Sequence, residues 1–495
     1  MNTLTFLEQE AKEVAVQLTY CDGYKLGHPQ QYPDKTEYVQ SNFTPRTTRI
    51  PGQEFVIAFG FQRFLDRYMN FDNFFAADID KVADRYTRRV NGYLGPNTIG
   101  QDNVRALHDL GYVPIRFSGV PEGTHVPLNV PMLLIENTHP DFGWLVNFFE
   151  TLLSCEIWLP CTSATRAYRF REILERYAVK TGSPVEFIDW QGHDFSMRGM
   201  AGLDAAKLSG MGHLLFFTGT DTIPAIDDVE DYYGEGLADD YLIGGSVPAT
   251  EHSVMCAGGE LSELETFRRL FNIYPTGIVS VVSDTWDYFN VLTNILHELH
   301  DEVMERDGKL VVRPDSGDPV KIVVGDPDAP VGSPEYRGTI EILWDEFGGT
   351  LTETGHKMLD SHIGCIYGDS ITEERAEAIL EGLEAKGFAS ANMVFGVGSF
   401  TYQYVTRDTF GFAMKATWAQ IDGVGHDLFK DPKTDDGSKK SAKGRLAVLD
   451  VEGTLTLVNQ ASAEQEAESV LTTIWEDGKF VRRDNFETIR SRARA

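Results

Sequence analysis

The sequence predicts an α/β protein, an irregular (α/β) barrel with a second α+β domain built from the N- and C-terminal segments. Three observations predict it. Short apolar strands alternate with amphipathic helices through the middle of the chain, and such alternation implies a parallel sheet. Each of those strands ends in a polar turn, as strands do at the active face of an (α/β) barrel. The two flanks instead carry short β runs interrupted by proline and turn residues, the texture of antiparallel sheet. The boundaries are 1–160 for an N-terminal α+β segment, 161–400 for a barrel-like catalytic domain, and 401–495 for a β-rich segment that completes the first domain.

The elements follow in order. Residues 5–18 have helical spacing, and Tyr20–Pro33 is turn-rich and dense in aromatic and charged groups. Strand-like runs cover Glu37–Phe43 and Glu54–Gly60, with Pro45, Arg46 and Arg49 in an exposed basic loop between them. Residues 61–94 read as helices with Phe61, Phe64, Leu65 and Tyr68 on one face. Ile115–Ile135 holds short strands broken by Pro121, Pro127 and Pro131, and the apolar window Trp144–Leu159 reads as a buried core helix continued by Arg166–Leu174. The barrel strands are Thr276–Ser283, Lys309–Val312, Ile363–Tyr367 and Met393–Phe395, with further ones expected around 186–191 and 213–217. Between them, residues 288–300 place Phe289, Leu292, Ile295, Leu296 and Leu299 on one helical face. Thr372 is placed to cap a helix that ends before Gly387. Gly325–Gly349, rich in Asp, Glu, Pro and Gly, reads as a solvent-exposed insertion. Residues 401–460 return to β texture, and the tail ends in a basic helix with Arg490, Arg492 and Arg494.

Composition narrows the function. A net charge of −31 over 495 residues repels nucleic acid and anionic membrane, so neither is expected as a partner. A phosphate-bearing substrate therefore needs a local cationic island. Five cysteines with no Cys-x-x-Cys point to reduced thiols in a cytosol. Met1–Val14 is acidic and lacks the regions of a signal peptide, and Trp144–Leu159 is too short to span a bilayer, so the expected location is cytoplasmic. No histidine or cysteine spacing suits zinc, and no Walker loop or Gly-x-Ser-x-Gly elbow occurs.

The stretch Gly244–Ser253 holds two glycines, a proline, three hydroxyls, Glu251 and His252. Alone it reads as a turn with a surface histidine. Taken with the strand-end groups it becomes part of a site. Those groups are the cations Arg198, Arg313 and Arg407, with Lys415 nearby in sequence, and the carboxylates Asp221, Asp284, Asp315 and Asp369. Each admits a plainer role: Arg407 pairing with Asp408, Asp284 capping the next helix, Asp315-Ser316-Gly317 forming a tight turn. Together they describe a polyanion site, with arginines for phosphate oxygens and carboxylates for sugar hydroxyls or water-shelled Mg²⁺.

From about Tyr20 to Arg490 the chain resembles the nicotinamide phosphoribosyltransferases, in the nicotinate/nicotinamide branch of the type II phosphoribosyltransferases. The motifs that carry the resemblance are Asp22-Gly23-Tyr24-Lys25, Trp144-Leu145-Val146-Asn147 with Glu150-Thr151, His193-Asp194-Phe195-Ser196-Met197-Arg198-Gly199, and Gly219-Thr220-Asp221-Thr222. Further on they are Ser246 to Ser253, Val281 to Asp284, Arg313 to Gly317, Gly368-Asp369, Thr406-Arg407-Asp408, Phe429-Lys430-Asp431-Pro432 and Lys443-Gly444-Arg445-Leu446.

The resemblance implies a homodimeric, ATP-stimulated enzyme that makes nicotinamide mononucleotide and diphosphate from nicotinamide and phosphoribosyl diphosphate. It implies that Phe195 and a partner subunit's Tyr24 sandwich the pyridine ring and that Asp221 accepts the carboxamide NH₂. Arg313 then lies by the base and phosphates, and Asp315, Gly368 and Asp369 hold the ribose. Gly398, Ser399 and Arg407 bind the 5′-phosphate region, while Arg198, Arg46 and Lys415 serve phosphate groups, some across the dimer interface. His252 is phosphorylated by ATP with Asp284 as its partner, and Mg²⁺ is held through diphosphate and water. Ser399 and Phe400 stand where the family has glycine, which implies a narrower space. The rivals are a nicotinate phosphoribosyltransferase, a non-catalytic phosphosugar-binding or nucleotide-binding protein on the same fold, and a barrel lyase or isomerase acting on phosphosugars.

Overall fold

The computed structural model describes residues 17–429 and 442–495. Most of the helix expected over 5–18, and the motif positions Lys430, Asp431 and Pro432, lie outside those residues. The chain forms two compact units, one of Met1–Thr162, Asp228–Leu237 and Thr406–Ala495, the other of Ser163–Asp227 and Ala238–Val405.

The first unit is the α+β body expected from the two ends of the chain. Its antiparallel sheet runs in the order Val424–Asp427, Ala413–Ile421, Thr36–Thr44, Leu133–Asn137, Ile115–Gly119, Thr472–Glu476 and Lys479–Phe480. Strand Thr36–Thr44 lies between a C-terminal and an N-terminal partner, with Phe43 opposite Met414 on one side and Leu133 on the other. Phe43 stacks on Phe412 at 5.4 Å and Phe117 meets Trp475 edge-on at 5.8 Å, all four rings buried. Burying each such side chain contributes about 1.5–3 kcal/mol. Near the start of the unit the Asp22–Lys25 motif is tied down. The buried Lys25 ammonium donates to Asn147 O at 2.9 Å and Glu150 Oε2 at 2.7 Å, while Thr151 Oγ1 donates to Asp22 at 2.8 Å. These bonds hold the neighbouring Tyr24, a residue that is 65% exposed.

Two buried polar groups organise the rest of this unit. Arg63 donates to Asp228 Oδ2 at 2.6 Å and to Glu156 Oε2 at 3.1 Å. Glu122 caps helix Phe61–Tyr68, accepting from Gly60 N at 2.7 Å, Gln62 N at 2.8 Å and Tyr233 Oη at 3.1 Å.

The second unit holds the parallel sheet. Its order is Gly192–Asp194, Met393–Val397, Ile363–Ile371, Asp307–Arg313 and Thr276–Val282, every pair parallel. Single parallel bridges join Asp194 to Thr220, Gly219 to Gly245, and Ala249 to Ser280. The pairing thus returns to strand Thr276–Val282, and the sheet curls into an irregular barrel. Val279, Val281 and Val282 are fully buried, as strands covered on both faces require.

Three expectations are corrected. Residues 185–191 are helical turns, and the run near 213–217 is the end of helix Leu203–Leu214 and the turn after it. The pairing residues lie just downstream, where Gly192 and Gly219 permit close approach. A Cβ on Gly192 would come 2.8 Å from the Phe217 ring, and one on Gly219 2.7 Å from His193 Nδ1. Short apolar runs do not separate a buried strand from a buried helix end. Gly325–Gly349 is exposed only in its first half: residues 325–337, with helix Pro334–Arg337, stay at the surface, whereas helix Thr339–Phe347 buries Ile340, Ile342, Leu343 and Phe347. Its acidic residues hid that apolar face. The helical reading of Trp144–Leu159 and Arg166–Leu174 holds, as the short helix Leu145–Phe148 followed by a 32-residue helix, Glu150–Thr181, that absorbs Pro160.

Burial raises the Glu122 carboxyl from 4.5 to about 7, against the lowering effect of its backbone and Tyr233 hydrogen bonds. The folded state therefore keeps a proton that the unfolded state releases. This stabilisation is complete below about pH 4.5 and is lost as pH rises through about 7, a change on the order of 3 kcal/mol. Denaturant unfolding from pH 4 to 8 should show the stability gap between wild type and Glu122→Gln shrinking as pH rises; a constant gap would contradict the assignment.

Candidate active site

The site is built from the carboxyl ends of the barrel strands. Strand Asp307–Arg313 delivers Arg313, whose Nη2 donates to Thr250 O at 2.5 Å, and leads into the turn Asp315-Ser316-Gly317. Gly317 sits at φ +90°, a conformation that favours glycine. Tyr367 Oη donates to the carbonyls of Ser316 and Gly317 at 3.0 Å and fixes the turn from the next strand. At the end of that strand, a Cβ on Gly368 would fall 2.1 Å from Asp315 Oδ1, so a side chain there would push this carboxylate aside. Asp369 follows, beside Ser370 at φ +51°.

Asp284 lies at the end of strand Thr276–Val282, with its side chain only 3% exposed. Its Oδ1 is 3.1 Å from His252 Nε2, and its Oδ2 accepts from Asp315 N at 2.9 Å and Ser316 Oγ at 2.6 Å. The plainer reading of Asp284 as a helix cap gives way to this role. His252 is half-exposed, and its Nδ1 has no hydrogen-bond partner among the described residues. The imidazole is thus oriented through one nitrogen with the other left available.

The pocket around Phe195 starts at strand Gly192–Asp194. Phe195 follows the strand, its N–H bound to Val397 O at 2.9 Å, and a Cβ on Gly396 would strike its ring at 2.5 Å. Asp221 lines the same pocket, its N–H bound to Asp194 O at 3.0 Å. Its Oδ1 accepts from His193 Nε2 at 2.9 Å and from Ser246 Oγ at 2.9 Å, while Oδ2 accepts nothing from the described residues. Burial alone would raise the Asp221 carboxyl, but the His193 and Ser246 hydrogen bonds and the Arg313 charge hold it below its usual value. The carboxylate is therefore ionised at neutral pH. His193 and Ser246 carried no role in the sequence reading, although both lie within its motifs. Neither spacing nor composition marks them, because their partner Asp221 comes from a third segment.

Ten of the predicted residues line one cavity of about 390 Å³: Phe195, Arg198, Asp221, His252, Arg313, Asp315, Gly368, Asp369, Gly398 and Ser399. Phe400 lines it too, its ring stacked on Tyr404 at 5.0 Å. A Cβ on Gly398 would meet nothing within 4 Å, so the fold does not require this glycine; it leaves space at the cavity. Ser399 packs its Oγ where a Cβ on Gly199 would come within 2.3 Å. A second cavity of about 720 Å³ shares Phe195, Asp221 and Arg313 and continues into the barrel past Ser280, Val311 and Lys309.

Apart from Asp284, whose contacts are given above, the remaining predicted residues belong to the other unit. There Arg407 pairs with Asp408 at 3.2 Å, Arg46 Nε donates to Gly411 O at 3.0 Å, and Lys415 lies on strand Ala413–Ile421 opposite Asn42. Tyr24 Oη donates to Asp22 at 3.3 Å. The 390 Å³ cavity alone is not a cationic island, since its lining sets Arg198 and Arg313 against Asp221, Asp315 and Asp369. Burial, with Asp284 and Asp369 nearby, raises the Asp315 carboxyl despite Arg313 and His252, and Asp315 Oδ1 makes an ion pair with Arg313 Nε at 3.5 Å but no hydrogen bond. Among the described residues no group of three or more His, Cys, Asp or Glu side chains is arranged to hold a metal ion directly. None of their helices is long and apolar enough to cross a membrane.

The family model of the nicotinate phosphoribosyltransferase (NAPRTase) family matches residues 190–478, and that of the nicotinamide phosphoribosyltransferase N-terminal domain matches residues 16–94. The chain is 49% identical over 491 residues to a nicotinamide phosphoribosyltransferase of Acinetobacter baylyi, covering 96% of each protein. It is 38% identical over 448 residues to one of Mycoplasma pneumoniae, covering 87% of this chain and 95% of the relative. Among solved structures, nicotinate-nucleotide pyrophosphorylase from Pyrococcus furiosus superposes with a TM-score of 0.59 at 16% identity, covering 100% of this chain and 97% of that one. Human nicotinic acid phosphoribosyltransferase superposes with a TM-score of 0.52 at 16% identity, covering 96% and 92%. At such identity the structural likeness speaks for the fold alone, whereas the family models and sequence relatives agree along almost the whole chain: it belongs to the nicotinate phosphoribosyltransferase family of pentosyl-transferring enzymes.

Proposed function

We propose that this chain joins nicotinamide to C1′ of phosphoribosyl diphosphate, giving nicotinamide mononucleotide and diphosphate for NAD salvage, with ATP acting through His252. The names of the sequence relatives support the reaction. The observation that carries the choice of base is Asp221, an ionised carboxylate beside Phe195 with Oδ2 open. A carboxamide donates to such an oxygen. A nicotinate carboxylate facing it meets a like charge, a penalty that solvent reduces at this half-exposed side chain but does not remove. A nicotinate-directed pocket calls for a cation at this position.

In the reaction the pyridine nitrogen attacks C1′ as the C1′–O bond to diphosphate breaks, so no side chain need act as nucleophile. Phe195 stacks on the ring, which becomes cationic in the product. Asp315 and Asp369 bind ribose hydroxyls, and Arg198 and Arg313 hold phosphate oxygens. The open space at Gly398 lets backbone amides approach phosphate. This positioning and charge stabilisation carry the rate of a dissociative transfer.

Mg²⁺ fits as a water-shelled ion carried by diphosphate. Asp315, whose Oδ1 makes only a 3.5 Å ion pair with Arg313 Nε, would with Asp369 accept from its water shell, while among the described residues no set of side chains is built to grip it bare. When bound, it supplies positive charge to the departing diphosphate.

For the ATP-linked step, His252 Nδ1 attacks the γ-phosphorus and the bond to ADP breaks, with Asp284 accepting the Nε2 proton's hydrogen bond. Water later removes the phosphoryl group as phosphate. A homodimer in which the partner supplies Tyr24 to cover the ring, with Arg46 and Lys415 adding cations, completes the reading. The expected location is the cytoplasm.

Initial rates with each base test the choice of substrate. Wild type should favour nicotinamide by about 100-fold or more, and Asp221→Asn should narrow that ratio by about tenfold or more. The preference should hold on the acid side down to about pH 4, since Asp221 titrates below its usual value; a preference for nicotinate sinks the proposal. His252→Ala should keep a basal rate and lose the stimulation by ATP, and mass spectrometry should find phosphate on His252 in wild type only. Equal stimulation of both proteins would remove His252 from the mechanism.

A further inference from the structure

His193 joins the two elements that would recognise the base. Its side chain is buried, with Nε2 2.9 Å from Asp221 Oδ1 and 3.4 Å from Ser246 Oγ. Its ring centroid lies 4.8 Å from that of Phe195, at 54°. Its Nδ1 edge abuts Gly219, where a Cβ would come within 2.7 Å. The ring is confined on these sides and cannot turn away from Asp221 without leaving Phe195 or Gly219. Because Nε2 faces a carboxylate oxygen, the hydrogen-bond network assigns the proton to that nitrogen.

We infer that His193 is a positioning residue that sets base specificity, with Ser246 as its helper; this rests on the reading of Asp221 as the carboxamide acceptor. Two donors saturate Oδ1. The carboxylate therefore cannot rotate, and Oδ2 stands as a single oriented acceptor for the amide. The same imidazole props the Phe195 ring, so plane and acceptor keep a fixed relation. Pre-organising a recognition group in this way lowers the ordering cost of binding and sharpens discrimination. Without the His193 donor the carboxylate is free to turn, and an amide gains less over its competitor.

Three variants test this through kcat and KM for nicotinamide and nicotinate, with thermal unfolding as a control for folding. His193→Phe keeps a ring against Phe195 and removes the donor. It should raise the nicotinamide KM more than it lowers kcat, and reduce the nicotinamide-to-nicotinate ratio of kcat/KM by about tenfold. His193→Gln, which returns an N–H donor near the same place, should restore most of that ratio. A purely structural role predicts no such rescue. Ser246→Ala, on the exposed side of the pocket, should lower the ratio by about threefold. A ratio unchanged within about twofold in His193→Phe and Ser246→Ala overturns the inference, and if His193→Phe does not fold, Ser246→Ala alone decides it. A wild-type enzyme that prefers nicotinate would instead overturn the reading of Asp221.

Discussion

The Asp284 carboxylate is the constraint on which the strand-end loops depend. It is buried, and both oxygens are taken by groups from two other segments: His252 on one side, and the Asp315 amide and Ser316 hydroxyl on the other. A buried carboxylate is tolerated only when such donors satisfy it. The loop 244–253, the end of strand Thr276–Val282 and the turn after strand Asp307–Arg313 are thereby held in one arrangement. That arrangement leaves His252 Nδ1 free while Asp315 and Arg313 face the same cavity.

Charge is the second theme. A chain of net charge −31 has to attract a polyanion, yet the cavity of the barrel unit balances its arginines with aspartates. Those aspartates suit ribose hydroxyls, a carboxamide and the water shell of Mg²⁺. In the proposed reaction the further positive charge that phosphate groups require is the part given to water-shelled Mg²⁺. A phosphohistidine placed near these carboxylates would reset the same balance, which is a physical reason for coupling ATP to a reaction that needs no phosphoryl transfer of its own.

Much of this was legible in the sequence. Periodicity located the strands after residue 270, because continuous Val and Ile runs ending in Asp or Gly allow few other readings. The turn residues at Asp284, Asp315 and Asp369 pointed to one face, and they do share it. Other features were not legible. The stave at Gly192–Asp194 is three residues long, and those at Thr220 and Gly245 are single bridges, too short for any periodicity. The helix Thr339–Phe347 was masked by its acidic outer face. His193 and Ser246 gained meaning only when folding brought three segments to Asp221. Arg407 shows the opposite case: its motif suggested phosphate, while its contact within its own unit is the neighbouring Asp408.

The account comes down to which base the site accepts. Purified protein given equal amounts of nicotinamide and nicotinate, with phosphoribosyl diphosphate and Mg²⁺, can be sampled by mass spectrometry before either base is depleted. The account predicts that nicotinamide mononucleotide dominates the product from the first time point. Dominance of the nicotinate mononucleotide, or no mononucleotide at all, would contradict it.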